Sequence, residues 1–327
     1  MRRREFITLL GGVATWPLAA QAQKPARPLV GVMSPLSLAT AARNLAALRN
    51  GLRDLGYTEG RNIDIEYRFA DGAAERFPVL VAELVALKPA VILVGSTAGI
   101  LAARVVTRTT PSIWFGSVED PVALGLVESF ARPGGNVTGF LLSNDARIVG
   151  KRLELLRDAV PGLSRVGVVL APDYAAADGT LKALPSAVRG LDLEARVYEA
   201  RSGDELEAAF AAAVRDGMQA LYVPEFPLFL TLRAEIAAKA ASARLPAIYT
   251  FREFAQAGGL MSYGADLPDL YRRAAVYVDK ILKGTDPGEL PLQSAEKFEL
   301  VVNLKTAKVL GVTISEAFLL RADEVIE

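Results

Sequence analysis

Apolar and polar positions along the chain follow two alternating rhythms. Short apolar runs of strand type are each followed by a longer stretch in which apolar residues recur at helical spacing. Leu29 to Met33 is the first such run, and Ala39 to Gly56 follows as an amphipathic helix ending at glycine. Asn62 to Phe69 alternates Ile63, Ile65, Tyr67 and Phe69 in a strand pattern, Ala73 to Leu87 reads as helix, and Ala90 to Val94 as a buried strand. A helix begins at Thr97, and strands are expected at Ser112 to Phe115 and Asn136 to Phe140. The plan then restarts: strand Arg165 to Leu170, a helix to Arg189, strand Leu193 to Tyr198, helix Asp204 to Arg215, strand Ala220 to Val223. Asp266 to Lys283 reads as a further helix, Gly284 to Pro291 as a turn-rich loop, Phe298 to Val302 as a last strand and Lys305 to Leu310 as a last helix.

Alternation of this kind is the mark of βα units around a parallel sheet covered on both faces. The second half repeats the first. Leu29-Val-Gly-Val-Met33 has a counterpart in Val166-Gly-Val-Val-Leu170, and Val91-Ile-Leu-Val94 in Ala220-Leu-Tyr-Val223. The expected fold is therefore α/β, with two doubly wound parallel-sheet lobes, a hinge between them and a ligand cleft where strand carboxyl ends face each other. Lobe 1 is expected to hold residues 23–140 and about 262–290, and lobe 2 residues 141–261 and about 291–327.

The first 22 residues depart from this rhythm. Arg2, Arg3 and Arg4 precede Phe6 and a moderately apolar run to Ala20, which closes on Ala20-Gln21-Ala22. That is the pattern of a twin-arginine export signal cut after Ala22, and the run is too short to span a bilayer. Its removal leaves 34 Lys and Arg against 36 Asp and Glu, a formal charge of −2. Such a balance gives no basic footprint for nucleic acid or for an anionic membrane surface. The whole chain has no Cys and no His. Thiol nucleophiles, Ser-His-Asp triads, imidazole bases, His/Cys metal sites and disulfides are thereby excluded. No cofactor, metal or catalytic residue is expected, and binding gains weight over catalysis.

Several motifs, in order, then carry a resemblance. Val118-Glu-Asp-Pro-Val122 with Gly125-Leu-Val127, Pro133-Gly-Gly-Asn-Val-Thr-Gly139, Gly258-Gly-Leu-Met-Ser-Tyr-Gly264, Tyr277-Val-Asp-Lys-Ile-Leu-Lys-Gly284 and Phe298-Glu-Leu-Val-Val-Asn303 closely resemble the ABC-transporter substrate-binding proteins that include tryptophan- and tyrosine-binding members. The resemblance implies a type I periplasmic-binding-protein fold crossed three times by the chain. It also implies a small organic ligand at the hinge. A periplasmic location after export, a monomer and an ABC permease of the inner membrane as partner are expected alongside it.

Three strand-to-helix junctions of the first lobe are expected to face the cleft: Met33-Ser34-Pro35, Gly95-Ser96-Thr97 and Ser117-Val-Glu-Asp120-Pro121. A helix start with free N–H groups suits an anion, so Ser96 and Thr97 are the candidates for gripping a carboxylate, with Ser34 beside them. Ser96 equally fits a plain helix cap, and Asp120 before Pro121 fits one better still. In the second lobe Glu225 and Glu253 are candidates for a ligand ammonium. Phe226, Phe229, Tyr249, Phe251 and Tyr263 are candidate apolar wall, although core packing is the commoner fate of each ring and no more than about two are expected to touch ligand. Thr138 with Gly139 reads as a hinge or as a surface turn, and Ser262 of the Gly258–Gly264 motif completes the set. Together these favour an amino acid or close analogue. A sensory receptor for a membrane signalling partner is the alternative, and an exported enzyme using Glu119 and Asp120 the least supported reading, because adjacent acids hardly face one substrate together.

Overall fold

The structure, a computed structural model, describes residues 27–117, 120–142, 146–174 and 176–327. The proposed export signal therefore lies outside the described residues, as does Glu119.

The first five strands are β1 (Leu29–Ser34), β2 (Asp64–Phe69), β3 (Val91–Val94), β4 (Ser112–Ser117) and β5 (Val137–Leu142), with helices α1 (Leu38–Asp54), α2 (Phe77–Ala86) and α3 (Thr97–Val106) between them. After α4 (Ala146–Ala159) come β6 (Arg165–Leu170), α5 (Ala176–Arg189), β7 (Glu194–Glu199), α6 (Gly203–Arg215) and β8 (Ala220–Val223). Then follow α7 (Pro227–Thr231), α8 (Arg233–Ser242), β9 (Ala247–Tyr249), α9 (Arg252–Gln256) and β10 (Met261–Ala265). The chain ends with α10 (Leu267–Leu282), β11 (Gln293–Ser294), β12 (Phe298–Asn303), α11 (Leu304–Leu310), α12 (Glu316–Leu319) and β13 (Glu324–Ile326).

These strands form two sheets. The first runs β11-β5-β4-β3-β1-β2 and the second β13-β12-β10-β9-β8-β6-β7. Their shared core order, β5-β4-β3-β1-β2 against β10-β9-β8-β6-β7, is the structural form of the repeat seen in sequence. The pairings are parallel except β10 with β12. Central strands such as β3 and β8 are buried along their whole length, which is why they read as unbroken apolar runs.

The chain crosses between sheets after β5, between β10 and α10, and between β11 and β12. The last two crossings fall slightly later than expected. Met261–Ala265 pairs in the second sheet, so the return to the first comes at Asp266, whose side chain caps α10 by accepting from the Asp269 N–H. Gln293–Ser294 pairs with β5 in the first sheet, so that excursion runs past residue 290. Helix α10 packs tightly along α1: a Cβ on Gly51 would stand 2.7 Å from the Arg272 carbonyl oxygen. This return helix brings C-terminal residues to the cleft side of lobe 1.

The lobes touch each other. The Tyr174 hydroxyl donates to the Gly72 carbonyl at 2.9 Å, and Arg233 Nη1 donates to Thr40 Oγ1 at 3.4 Å. Gly72 has φ +84°, and a Cβ there would meet Thr231 Oγ1 of the other lobe at 2.8 Å, so this approach calls for glycine.

Candidate ligand-binding site

The carboxyl ends of the strands in both sheets surround a cavity of about 90 Å³. Pro35 and Leu36 follow β1, Gly95 to Ala98 follow β3, and Leu142 ends β5. From the second sheet come Tyr174 after β6, Glu225 to Pro227 after β8 and Phe251 after β9, while Leu267 and Tyr271 arrive on α10. A parallel sheet presents helix starts and loops at this edge, which makes it the usual place for a ligand. The volume exceeds several times the roughly 10–15 Å³ that one water requires.

On the lobe 1 side the polar groups are few and under-used. Ser96 is extended (φ −158°) and its Oγ accepts from the Gly99 N–H at 3.0 Å, starting α3 at Thr97. The first N–H groups of a helix have no acceptor within it, and they carry the positive end of the dipole. Thr97 is 6% exposed and Asn44, two turns into α1, is 3% exposed. Both line the cavity, and neither Thr97 Oγ1 nor Asn44 Oδ1 has a hydrogen-bond partner. A buried polar atom left unpaired costs about 1–3 kcal/mol, so this wall carries unmet demand for a polar ligand.

The lobe 2 wall differs. Glu225 is buried; its Oε2 accepts from Thr250 Oγ1 at 2.8 Å and lies 3.7 Å from Nη1 of Arg152. Arg152, on α4, is itself buried, donating from Nε to the Tyr263 carbonyl and from Nη1 to the Tyr222 hydroxyl, at 2.8 and 2.9 Å. Burial pushes the Glu225 carboxyl above its ordinary value, against the pull of Arg152 and Thr250, and pushes the Tyr222 phenol up to about 12. Around these polar groups stand Phe77, Phe115, Tyr174, Phe226, Phe251 and Tyr271, with Phe115 and Tyr271 stacked at 4.3 Å. The cavity thus joins an oxygen-rich, helix-start corner to aromatic walls.

Residues 29–326 match the family described as ABC transporter substrate binding protein. The chain belongs to that family. Among curated proteins it is 27% identical over 259 residues to a tyrosine-binding protein of Clostridioides difficile, covering 79% of this chain and 74% of the relative. Among solved structures it is similar to a conserved domain protein of Vibrio cholerae, with 26% identity, a TM-score of 0.84, and 91% of this chain and 99% of the other covered. It also resembles a Streptococcus pneumoniae ABC domain in complex with L-Trp, with 22% identity, a TM-score of 0.84, and coverage of 92% and 100%. The fold is that of the type I periplasmic binding proteins.

In this substrate-binding protein the structure brings together Ser96, Thr97 and Glu225 on the cavity wall, with Phe226 and Phe251. Ser34 sits just behind, its Oγ accepting from the Leu36 N–H at 3.1 Å. The other candidates lie outside the lining. Asp120 accepts from the Val122 and Ala123 N–H groups at 2.9 and 3.2 Å on an exposed turn; no helix follows it directly, so the expected strand-to-helix junction and helix cap are replaced by a turn that the Asp120 side chain closes. Thr138 is fully buried within β5 and donates to the Leu290 carbonyl at 2.6 Å, while Gly139 allows Trp114 to approach; neither stands at a crossing. Tyr249 is core: its ring stacks on Phe254 at 4.6 Å, because the short β9 ends there and the chain turns toward the cavity only at Thr250 and Phe251. Phe229 packs edge-on against Phe226 and Tyr263 stacks on Phe298. Glu253 is half-buried on α9, and Ser262 is buried in the middle of β10 in lobe 2.

Residues not foreseen are Asn44, Arg152, Tyr174, Phe115 and Tyr271. Asn44 and Arg152 had a local signal: each is a polar residue on an otherwise apolar helical stripe, with Ala41, Leu45 and Leu48 around one and Val149, Leu153 and Leu156 around the other. Tyr174 and Tyr271 had none, being ordinary aromatics brought in by a loop and by the returning helix.

Proposed function

We propose that the protein is an exported, non-catalytic receptor of an ABC importer that closes its lobes on an amino acid with a large apolar or aromatic side chain and presents the closed form to the permease. The carrying observation is the cavity itself, lined both by Thr97 and Asn44, each with an unpaired side-chain oxygen, and by aromatic rings. The helix start suits the carboxylate, the rings suit the side chain, and the relatives with tyrosine and L-Trp in their names point the same way. The twin-arginine pattern and the Ala20-Gln21-Ala22 site support a periplasmic site of action, and a mature N-terminus at Gln23 is expected on sequencing the exported protein. The Asp120 carboxylate is engaged within its own turn, which leaves little for a carboxylate-based enzyme.

The test is a thermal-shift screen of amino acids, aromatic acids, nucleosides and sugars against the mature protein, with calorimetry on each hit. An aromatic or large aliphatic L-amino acid is expected to give the largest shift. A best hit without a carboxylate would overturn the reading.

A further inference from the structure

Resting on the amino acid reading, we propose that Asn44 is the acceptor for the ligand's ammonium group, so that lobe 1 alone holds both charged ends of the zwitterion. Carboxylate and ammonium share one carbon in an α-amino acid, and whatever grips the first needs an acceptor for the second close by. Strands β1 and β3 are neighbours in register, Met33 opposite Val94. The helices that follow them, α1 and α3, therefore enter the same corner of the cavity. One presents Asn44 and the other Thr97, both buried, both lining the cavity and both with an unpaired side-chain oxygen.

Glu225 was the expected ammonium partner and is the only charged residue among the described lining residues. Its carboxylate already answers Arg152 and Thr250 of its own lobe. An ammonium placed there would compete with Arg152 and Thr250 for a carboxylate they already engage. At Asn44 the ammonium instead meets a neutral acceptor whose demand is unmet. The same polar side chain on the core-facing stripe of α1 is hard to explain as packing, since an apolar residue of that size would fill the position without an orphaned oxygen.

The mature protein is titrated calorimetrically with L-tyrosine and L-tryptophan and with their counterparts lacking the amino group, hydroxyphenylpropionate and indolepropionate, in the parent and in N44L and N44D. N44L is expected to lose about ten- to hundredfold in affinity for the amino acids, as for a lost hydrogen bond to a charged group. It should leave the deamino acids unchanged and melt no lower than the parent. N44D is expected to bind the amino acids at least as tightly as the parent and the deamino acids more weakly. Equal loss for both ligand classes, an unchanged affinity of N44L for the amino acids, or a lowered melting temperature of N44L would each overturn the assignment while leaving the receptor reading intact. A parent that binds neither amino acid removes the premise, and the functional reading falls together with the role of Asn44.

Discussion

The two lobes share a sheet order yet meet the cavity in opposite electrostatic condition. Lobe 1 presents orphaned oxygens, Thr97 and Asn44, beside a helix start. Lobe 2 presents a carboxylate answered from within its own lobe, Glu225 with Thr250 and with an Arg152 that is also anchored to Tyr222 and Tyr263. Polar groups that cannot find water must find partners. On the cavity wall Thr97 and Asn44 of lobe 1 keep that place open, whereas Glu225 of lobe 2 has filled it; Tyr249 and Ser262 of lobe 2 are also unpaired, but they do not line the cavity. The lesson is that a charged residue in a cleft is not thereby a ligand contact; a better sign is hydrogen-bonding capacity left open on a residue that also lines the cavity. On the proposed reading, lobe 1 is the half that grips and lobe 2 the half that closes.

The comparison breaks most visibly at Arg152. Replacing it by leucine leaves Glu225 buried without its cation and is expected to lower the unfolding free energy by about 3–5 kcal/mol. R152L combined with E225L should recover much of that loss, as urea denaturation of the three proteins would show. Full stability of R152L alone would mean that lobe 2 is not self-contained.

Next in size is the helix start of lobe 1. Substituting Ser96 and Thr97 together by alanine is expected to weaken amino acid binding by about 1–3 kcal/mol, five- to hundredfold. Because backbone donors at the start of α3 remain, binding should be weakened rather than abolished. Calorimetry checks it, and a double mutant that binds like the parent would remove the anion grip from this corner.

Closure itself is sharpened by Y174F. The hydroxyl of Tyr174 reaches from lobe 2 to the Gly72 carbonyl of lobe 1, and its loss is expected to cost about 1 kcal/mol of closed-state stability, roughly a fivefold loss of affinity. Solution scattering should then show weaker compaction at a fixed subsaturating ligand concentration. The lobe structures themselves should not change.

The smallest effect concerns pH. Burial raises the Glu225 carboxyl above 4.5 in the folded protein, so the folded state holds that proton more firmly than the unfolded chain. Its contribution is complete below 4.5 and fades as pH rises through the raised value. Melting temperatures of the parent and E225Q from pH 4 to 7 are expected to shift progressively in favour of E225Q. A difference between the two that is flat with pH would place the titration of Glu225 outside the stability of lobe 2.

Much of this molecule was legible along the chain. The order of strands and helices, the internal repeat and the position of the cleft at the carboxyl ends follow from local periodicity, because each element must bury one face wherever it ends up. Ser96 and Thr97 could be placed on the cavity for the same reason, since a residue between a buried strand and a helix in such a sheet has few other places to be. What the chain could not disclose is partnership across distance. That Glu225 meets an arginine from α4, that Tyr271 reaches the cavity on a helix returning to the first lobe, and that Tyr249 falls into the core while Phe251 does not, are settled by packing. Periodicity fixes which face of an element is buried. Only the assembled lobes decide whether that burial ends in a partner, as for Arg152, or in an open cavity, as for Asn44.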